Sequence, residues 1–268
     1  MRYLWQIDSE FARAEKNSAP PLMGDTVQAL FWNAVELRKN DVWLRQKELG
    51  IWRAWTWHET GEIVKEIAMG LNALGMQVQD RVSILSNTRV EWMWTDLAVL
   101  SLCGTSAGIY PTDSVSQVQY ILNDSQSRFL FVEDEELLDK LFELLPELPN
   151  LLKIIVFDDK GLRHFAHPQV ISLQALRQLG AKALALDPQR FDVISEASSS
   201  EHLAILVYTS GTTGKPKGAM HHQSGLVYAI RGHTLIIAQT PLDERMCFLP
   251  LCHIAERVGG ALVSMYTG

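Results

Sequence analysis

The chain has 268 residues, 47% of them hydrophobic and 21% charged, with a formal net charge of −7 at pH 7. That is the composition of a globular protein with enough chain for one large domain or two small ones, and it gives no case for disorder. The acidic balance argues against nucleic acid as a partner, because that affinity rests on a basic surface.

Residues 1–50 read as an N-terminal extension and helical lead-in. Ala19-Pro20-Pro21 marks a break, and TVQALFWNAVELR, residues 26–38, sets Leu30, Ala34 and Leu37 at helical spacing. Trp52, Trp55 and Trp57 in IWRAWTW suggest a strand with one aromatic face, used for core packing. Thr56 then caps a helix, with Glu59 three residues on as a capping box, and the helix runs to Gly75. From there strand and helix alternate. RVSILS is a strand, and VEWMWTDLAVLSLCG a helix with Trp94, Leu97, Ala98 and Leu102 on its apolar face. AGIYPT is a strand ending at Pro111, and Ser114 opens a helix through VSQVQYILNDS. RFLFVE is a strand, EELLDKLFELLPEL a helix closed by Pro146 and Pro149, and LLKIIVF a further strand. Short connections between alternating elements predict an α/β fold: a parallel sheet with helices on both faces, binding ligands at the carboxyl ends of its strands. Residues 159–200, with Gly161, Pro168, Pro188 and Ser198-Ser199-Ser200, read as loop-rich. His164 and His167 have no Cys or carboxylate cluster around them and read as solvated side chains.

Cys103, Cys247 and Cys252 form no CxxC pair, which fits a reduced, cytoplasmic compartment. Cys247 and Cys252 flank an apolar stretch and read as small buried residues. MRYLWQIDSEF has no apolar core behind a basic start, so no signal peptide is expected. No apolar run of about eighteen residues predicts a transmembrane helix. Peripheral contact with a membrane is left open.

Chemistry concentrates in residues 203–218, LAILVYTSGTTGKPKG. Leu203 to Val207 reads as a buried strand, and the hydroxyl- and glycine-rich segment after it as a loop built to hold phosphate. Gly211, Gly214 and Gly218 let the backbone come close to a ligand. Thr209, Ser210, Thr212 and Thr213 supply hydroxyls, while Lys215 and Lys217 bring positive charge. The loop does not fit the Walker pattern, since Thr209 stands five before Gly214 and Pro216 comes directly after Lys215.

At these residues the chain resembles the AMP-forming adenylating enzymes, which include acyl-CoA synthetases, firefly luciferase and peptide-synthetase adenylation domains. YTSGTTGKPKG is similar to their phosphate-loop signature without a break. The resemblance implies that Thr209, Ser210, Gly211, Thr212, Thr213, Gly214 and Lys217 contact the ATP phosphates, and that the Thr209 hydroxyl also meets Mg2+. QDRVSILSN, IYPT, QVQYILNDS, LFVEDEE and IIVFD resemble, in order, the N-terminal lobe of long-chain acyl-CoA synthetases. MCFLPLCHIAERVGG, residues 246–260, is similar to that group's LP-x-x-H-x-x-E motif. Pro250 would end an apolar strand, His253 would orient the acyl carboxylate or gate the acyl tunnel, and Glu256 and Arg257 would pair with each other. In HHQSGLVYAIRGH the family's usual His-Arg pair falls one position later, where this chain has Gln223. His221 and His222 are therefore read as helix-start residues.

The resemblance implies that residues 51–268 are a partial adenylation domain. The fold would be the incomplete N-terminal domain of the acyl-adenylate-forming fold, ending before the adenine site, the C-terminal domain and its catalytic lysine. The parent activity would use ATP, Mg2+ and CoA to convert a long-chain fatty acid to acyl-adenylate and then acyl-CoA, releasing AMP and pyrophosphate. These 268 residues alone are expected to be inactive. Two alternatives remain open: a non-catalytic homologue that binds nucleotide or an acyl ligand, and a ligase that loads a carrier protein. Homo-oligomerisation is also left open.

Overall fold

The computed structural model describes residues 22–209 and 215–268. Thr26 caps helix α1, Val27–Arg38, by accepting from the Ala29 amide. Leu30 and Ala34 point into the core as their spacing predicts, but Leu37 is exposed. Ala19-Pro20-Pro21 lies outside the described residues. The antiparallel pair β1, Val42–Glu48, and β2, Ile51–Thr56, comes next. The tryptophans do not share one strand face. Trp52 stands exposed beside Lys47, Trp55 meets Trp94 edge to face, and Trp57 has already entered helix α2, Trp57–Ala73. The Thr56 capping box ends the strand at that point, which is why the third aromatic falls on the helix.

The alternating region forms as its pattern predicts. It comprises β3, Arg81–Leu85; α3, Val90–Ser101; β4, Thr105–Ile109; α4, Val115–Asp124; β5, Phe129–Val132; α5, Glu135–Phe142; and β6, Lys153–Val156. A second capping box, Ser114 with Gln117, opens α4. Helix α5 ends at Phe142, and Pro146 sits instead in a separate 3-10 turn, Leu145–Glu147.

Residues 159–200 depart from expectation. They hold a strand β7, Val170–Ser172, and two helices, α6, Leu173–Leu186, and α7, Arg190–Glu196. Helix α6 is capped by Ser172 and lies along α2. A side chain at Gly180 would put its Cβ 1.8 Å from the Glu66 carbonyl oxygen, so the two backbones approach as only glycine permits. Ser172 and Gly180, inside the stretch that reads as loop-rich, serve here as helix cap and helix contact.

The chain then runs through β8, Leu203–Thr209; β9, Lys217–His222; α8, Gln223–Ile236; a short α9, Ile254–Glu256; a π-helical turn, Arg257–Leu262; and α10, Val263–Thr267. His222, the last residue of β9, stands at the N-cap position of α8 without a side-chain cap bond, and His221 lies one residue further inside the strand. The seven-stranded sheet has the order β7-β6-β5-β3-β4-β8-β9, parallel except for β9 against β8.

Strand alternation divides the core in two. Phe129 and Phe131 face one cluster with α1, α2, α3, α6 and α8, while Leu130 and Val132 face the other with α4 and α5. The connections β3–α3–β4 and β4–α4–β5 therefore cover opposite faces, and the chain changes direction between β3 and β4. In such sheets that switch point opens a crevice at the carboxyl ends. No helix of the described residues is long and apolar enough to cross a membrane.

Candidate functional site

The carboxyl edge of β8 is the first part of the site. Thr209 ends β8 and pairs in register with Lys217, the first residue of β9, and both are exposed. Ser210, Gly211, Thr212, Thr213 and Gly214 lie outside the described residues. One step inward Tyr208 pairs with Gly218. The Tyr208 hydroxyl donates to Asp124 Oδ2 at 2.7 Å, and Tyr120 donates to Oδ1 of the same carboxylate at 3.4 Å. Burial, helped by this carboxylate, pushes the Tyr208 phenol well above its ordinary value, so it stays a neutral donor. The Lys215 ammonium lies 5.0 Å from the Tyr120 ring centroid, a cation–π distance. The two loop lysines are thus distinct: Lys215 is parked on α4, and Lys217 stands exposed at the edge.

The second part covers the switch point. Residues 249–253 lie across the ends of β3 and β4. Thr88, just after β3, donates to the Leu249 carbonyl at 2.7 Å. A Cβ at Gly108 on β4 would come 2.6 Å from the Cys252 Cα, so this close crossing requires glycine. Next to Cys252 stands His253, exposed, with its Nδ1 accepting from the Ala255 amide at 3.1 Å. A neutral imidazole that accepts at Nδ1 carries its proton on Nε2, which leaves an N–H donor for a ligand.

Three expectations for this stretch are corrected. Met246 to Leu249 is not a strand: its side chains are exposed, and among the described residues no strand pairs with it. Cys247 is accordingly exposed, while Cys252 is buried and its thiol is pushed up to about 12 by that burial. Glu256 and Arg257 do not pair with each other. Glu256 accepts from Arg245 at 2.9 Å. Arg257 turns the other way, to Asp96 of α3 and Ser106 of β4, and its guanidinium lies 5.0 Å from the Trp92 ring. Adjacent residues on a helical turn diverge by about 100°, so neighbours in sequence reach different partners.

Asp96, Ser106, Asp124 and Tyr208 are the residues that sequence reasoning passed over. The signal for Asp96 was present: it is the one charge inside the apolar run WMWTDLAVL. Among the described residues no group of three His, Cys, Asp or Glu side chains gathers around His164 and His167. His167 instead packs edge to face on Phe142. His221 is half-buried, and burial together with the Arg257 charge holds its imidazole below the ordinary histidine value.

Three kinds of comparison with known proteins bear on the family and the fold. The long-chain-fatty-acid–CoA ligase FadD15 of Mycobacterium bovis is 34% identical over 212 residues, which are 78% of this chain and 33% of that protein. The long-chain-fatty-acid–CoA ligase ACSBG2 of Xenopus laevis is 28% identical over 99% of this chain and 36% of its own length. The chain spans about a third of the length of these curated relatives. Among solved structures, the anthranilate CoA ligase AuaEII in complex with anthranoyl-AMP matches 95% of this chain and 45% of its own, with a TM-score of 0.78 at 21% identity. A fatty acyl-adenylate ligase from L. pneumophila, in complex with acyl adenylate and pyrophosphate, matches 92% of this chain and 39% of its own, with a TM-score of 0.71 at 18% identity. At such identities the likeness is one of fold. The model of the AMP-binding enzyme family matches residues 31–268, and the chain belongs to that family.

Proposed function

We propose that this chain supplies the phosphate edge and the acyl-carboxylate edge of an AMP-forming long-chain fatty acid–CoA ligase. The observation that carries the reading is the register pair Thr209–Lys217, exposed at the carboxyl edge of the sheet and flanking the signature residues. The identity to FadD15 supports fatty acid as the acid. In the reaction a carboxylate oxygen attacks the α-phosphorus of ATP, and the bond to the bridging oxygen of the β-phosphate breaks, releasing pyrophosphate. The CoA thiolate then attacks the acyl carbonyl carbon and AMP leaves. Such chemistry needs positioning and charge neutralisation more than covalent help.

In this reading Lys217 neutralises charge on the departing pyrophosphate, with Ser210, Gly211, Thr212, Thr213 and Gly214 as further phosphate contacts. Thr209 offers one hard oxygen. Magnesium commonly binds through one or two protein oxygens together with substrate phosphates, so a single hydroxyl here suits a metal that arrives with ATP. His253 presents its Nε2 proton to the acyl carboxylate.

The test is Lys217→Ala in the polypeptide as its cells produce it, assayed by fatty-acid-dependent exchange of labelled pyrophosphate into ATP. A charge-assisted hydrogen bond contributes about 1.5–3 kcal/mol, so exchange is expected to slow at least about tenfold. Unchanged exchange would remove Lys217 from the phosphates.

A further inference from the structure

Arg257 and Asp96 are both fully buried. The guanidinium holds the carboxylate through two nitrogens, with Nε to Oδ2 at 3.0 Å and Nη2 to Oδ1. Ser106 completes the grip: it accepts from Nη2 and donates to Asp96 Oδ1. Among the described residues the Arg257 Nη1 finds no hydrogen-bond partner. Burying such a pair is expensive, and apolar side chains of similar volume often hold a fold as well. What an ion pair provides instead is registry, since the planar guanidinium fork accepts one geometry.

The segment that needs registry lies next to it. Residues 237–253 form neither helix nor strand, and before His253 the segment is held by Thr88 on Leu249 and by the burial of Leu251 and Cys252. Arg257 holds it from the other side. Its side chain is clamped to α3 and β4, and its own amide donates to the His253 carbonyl at 3.0 Å. The π-helical turn Arg257–Leu262 begins at the same residue, a widened turn of the kind often found at functional sites.

We infer that Asp96 is a positioning residue: through Arg257 it sets His253 over the end of β4, in the orientation that presents Nε2 to the acyl carboxylate. Its role for His253 rests on the acyl-activation reading above. The placement itself does not, and the test separates them. The paired variant Asp96→Leu with Arg257→Met removes both charges and puts apolar side chains in their place. If the pair is a stability device, this variant loses stability. If it is a positioning device, the urea midpoint stays near that of the parent while His253 loosens.

Two readouts on the polypeptide as its cells produce it decide the matter. Amide hydrogen exchange at Ala255 and Arg257, whose N–H groups His253 accepts, is expected to quicken at least about tenfold, with the β5 amides unchanged. In pyrophosphate exchange, the KM for fatty acid is expected to rise about tenfold or more, with the KM for ATP unchanged. Ser106→Ala, which removes one arm of the grip and no charge, is expected to give the same pattern at about threefold, and covers failure of the paired variant to fold. Unchanged exchange at Ala255 and Arg257 in a folded variant would overturn the proposal. Faster exchange at those amides, in a parent with no fatty-acid-dependent pyrophosphate exchange, would sustain the positioning and sink the acyl-activation reading instead.

Discussion

The stretch from α2 to β6 and the stretch from residue 237 to 262 lie on the same sheet but are held by different physics. The first is fixed by apolar side chains alternating to two cores, with Phe129 and Phe131 on one face and Leu130 and Val132 on the other. Burial of this kind is non-directional and large in total. The second leaves Met246, Phe248 and Leu249 exposed and sends Leu251, Ala261 and Leu262 into the first of these cores. Between those anchors it is placed by a handful of directional contacts, from Thr88 to Leu249, from Arg245 to Glu256 and from Asp96 to Arg257. A scaffold can tolerate imprecise packing and still fold, whereas a site must hold a few atoms in one arrangement.

Two substitutions break this comparison at its strongest points. Phe131→Ala empties a fully buried position of the sheet and is expected to cost about 3–5 kcal/mol, read as a lower midpoint in a urea melt. Arg257→Met alone leaves the Asp96 carboxylate buried without its partner, and is expected to cost about as much, roughly 3–5 kcal/mol. The comparison requires that the second loss be recovered when Asp96→Leu is added, while no single apolar neighbour of Phe131 restores the first. If Arg257→Met is mild and Asp96→Leu does not improve it, the directional account of the second region fails.

A smaller effect sharpens the contrast from the scaffold side. Thr56→Ala removes one half of the capping box of α2 and is expected to cost about 1 kcal/mol, measured in the same melt. It leaves phosphate and acyl contacts untouched, so pyrophosphate exchange per folded molecule should not change.

The smallest effect is electrostatic. Burial and the Arg257 charge hold the His221 pKa below its ordinary value in the folded state. Between the folded value and the unfolded value of about 6.5, the unfolded chain binds the extra proton. Stability is therefore fully present above about pH 6.5 and falls as pH drops below it. His221→Gln should flatten that part of the stability–pH curve, and an unaltered slope would assign it to other groups.

Helix caps were readable in the sequence because their physics is local. Thr56 with Glu59 formed the expected capping box, and Ser114 starts its helix as expected, with Gln117 completing a second box that the structure added. The buried strands were readable for the same reason, since RVSIL, FLFV and KIIV carry their own β-branched and aromatic signal. Helix α6 was not. LQALRQLGAKALAL comes after Ser172 with a fair helical pattern, but prolines and glycines around it suggested loop, and its packing on α2 depends on Gly180 meeting the Glu66 backbone. The strand expected before Pro250 failed because a strand needs a neighbour, and sequence does not say which edge is available.

By itself the sequence determined the alternation of strands and helices, the caps that start α2 and α4, and a run of hydroxyls, glycines and lysines after β8 that matches the AMP-binding enzymes. These arise from side-chain periodicity, short-range hydrogen bonds and a contiguous motif, all of which act within a few residues. Only the tertiary structure decided that Thr209 faces Lys217, that Tyr208 meets Asp124, and that Arg257 turns from Glu256 to Asp96, 161 positions away. Those pairings depend on which strands lie side by side and on how far one turn rotates between neighbouring residues. Neither is written in the spacing of the residues that meet.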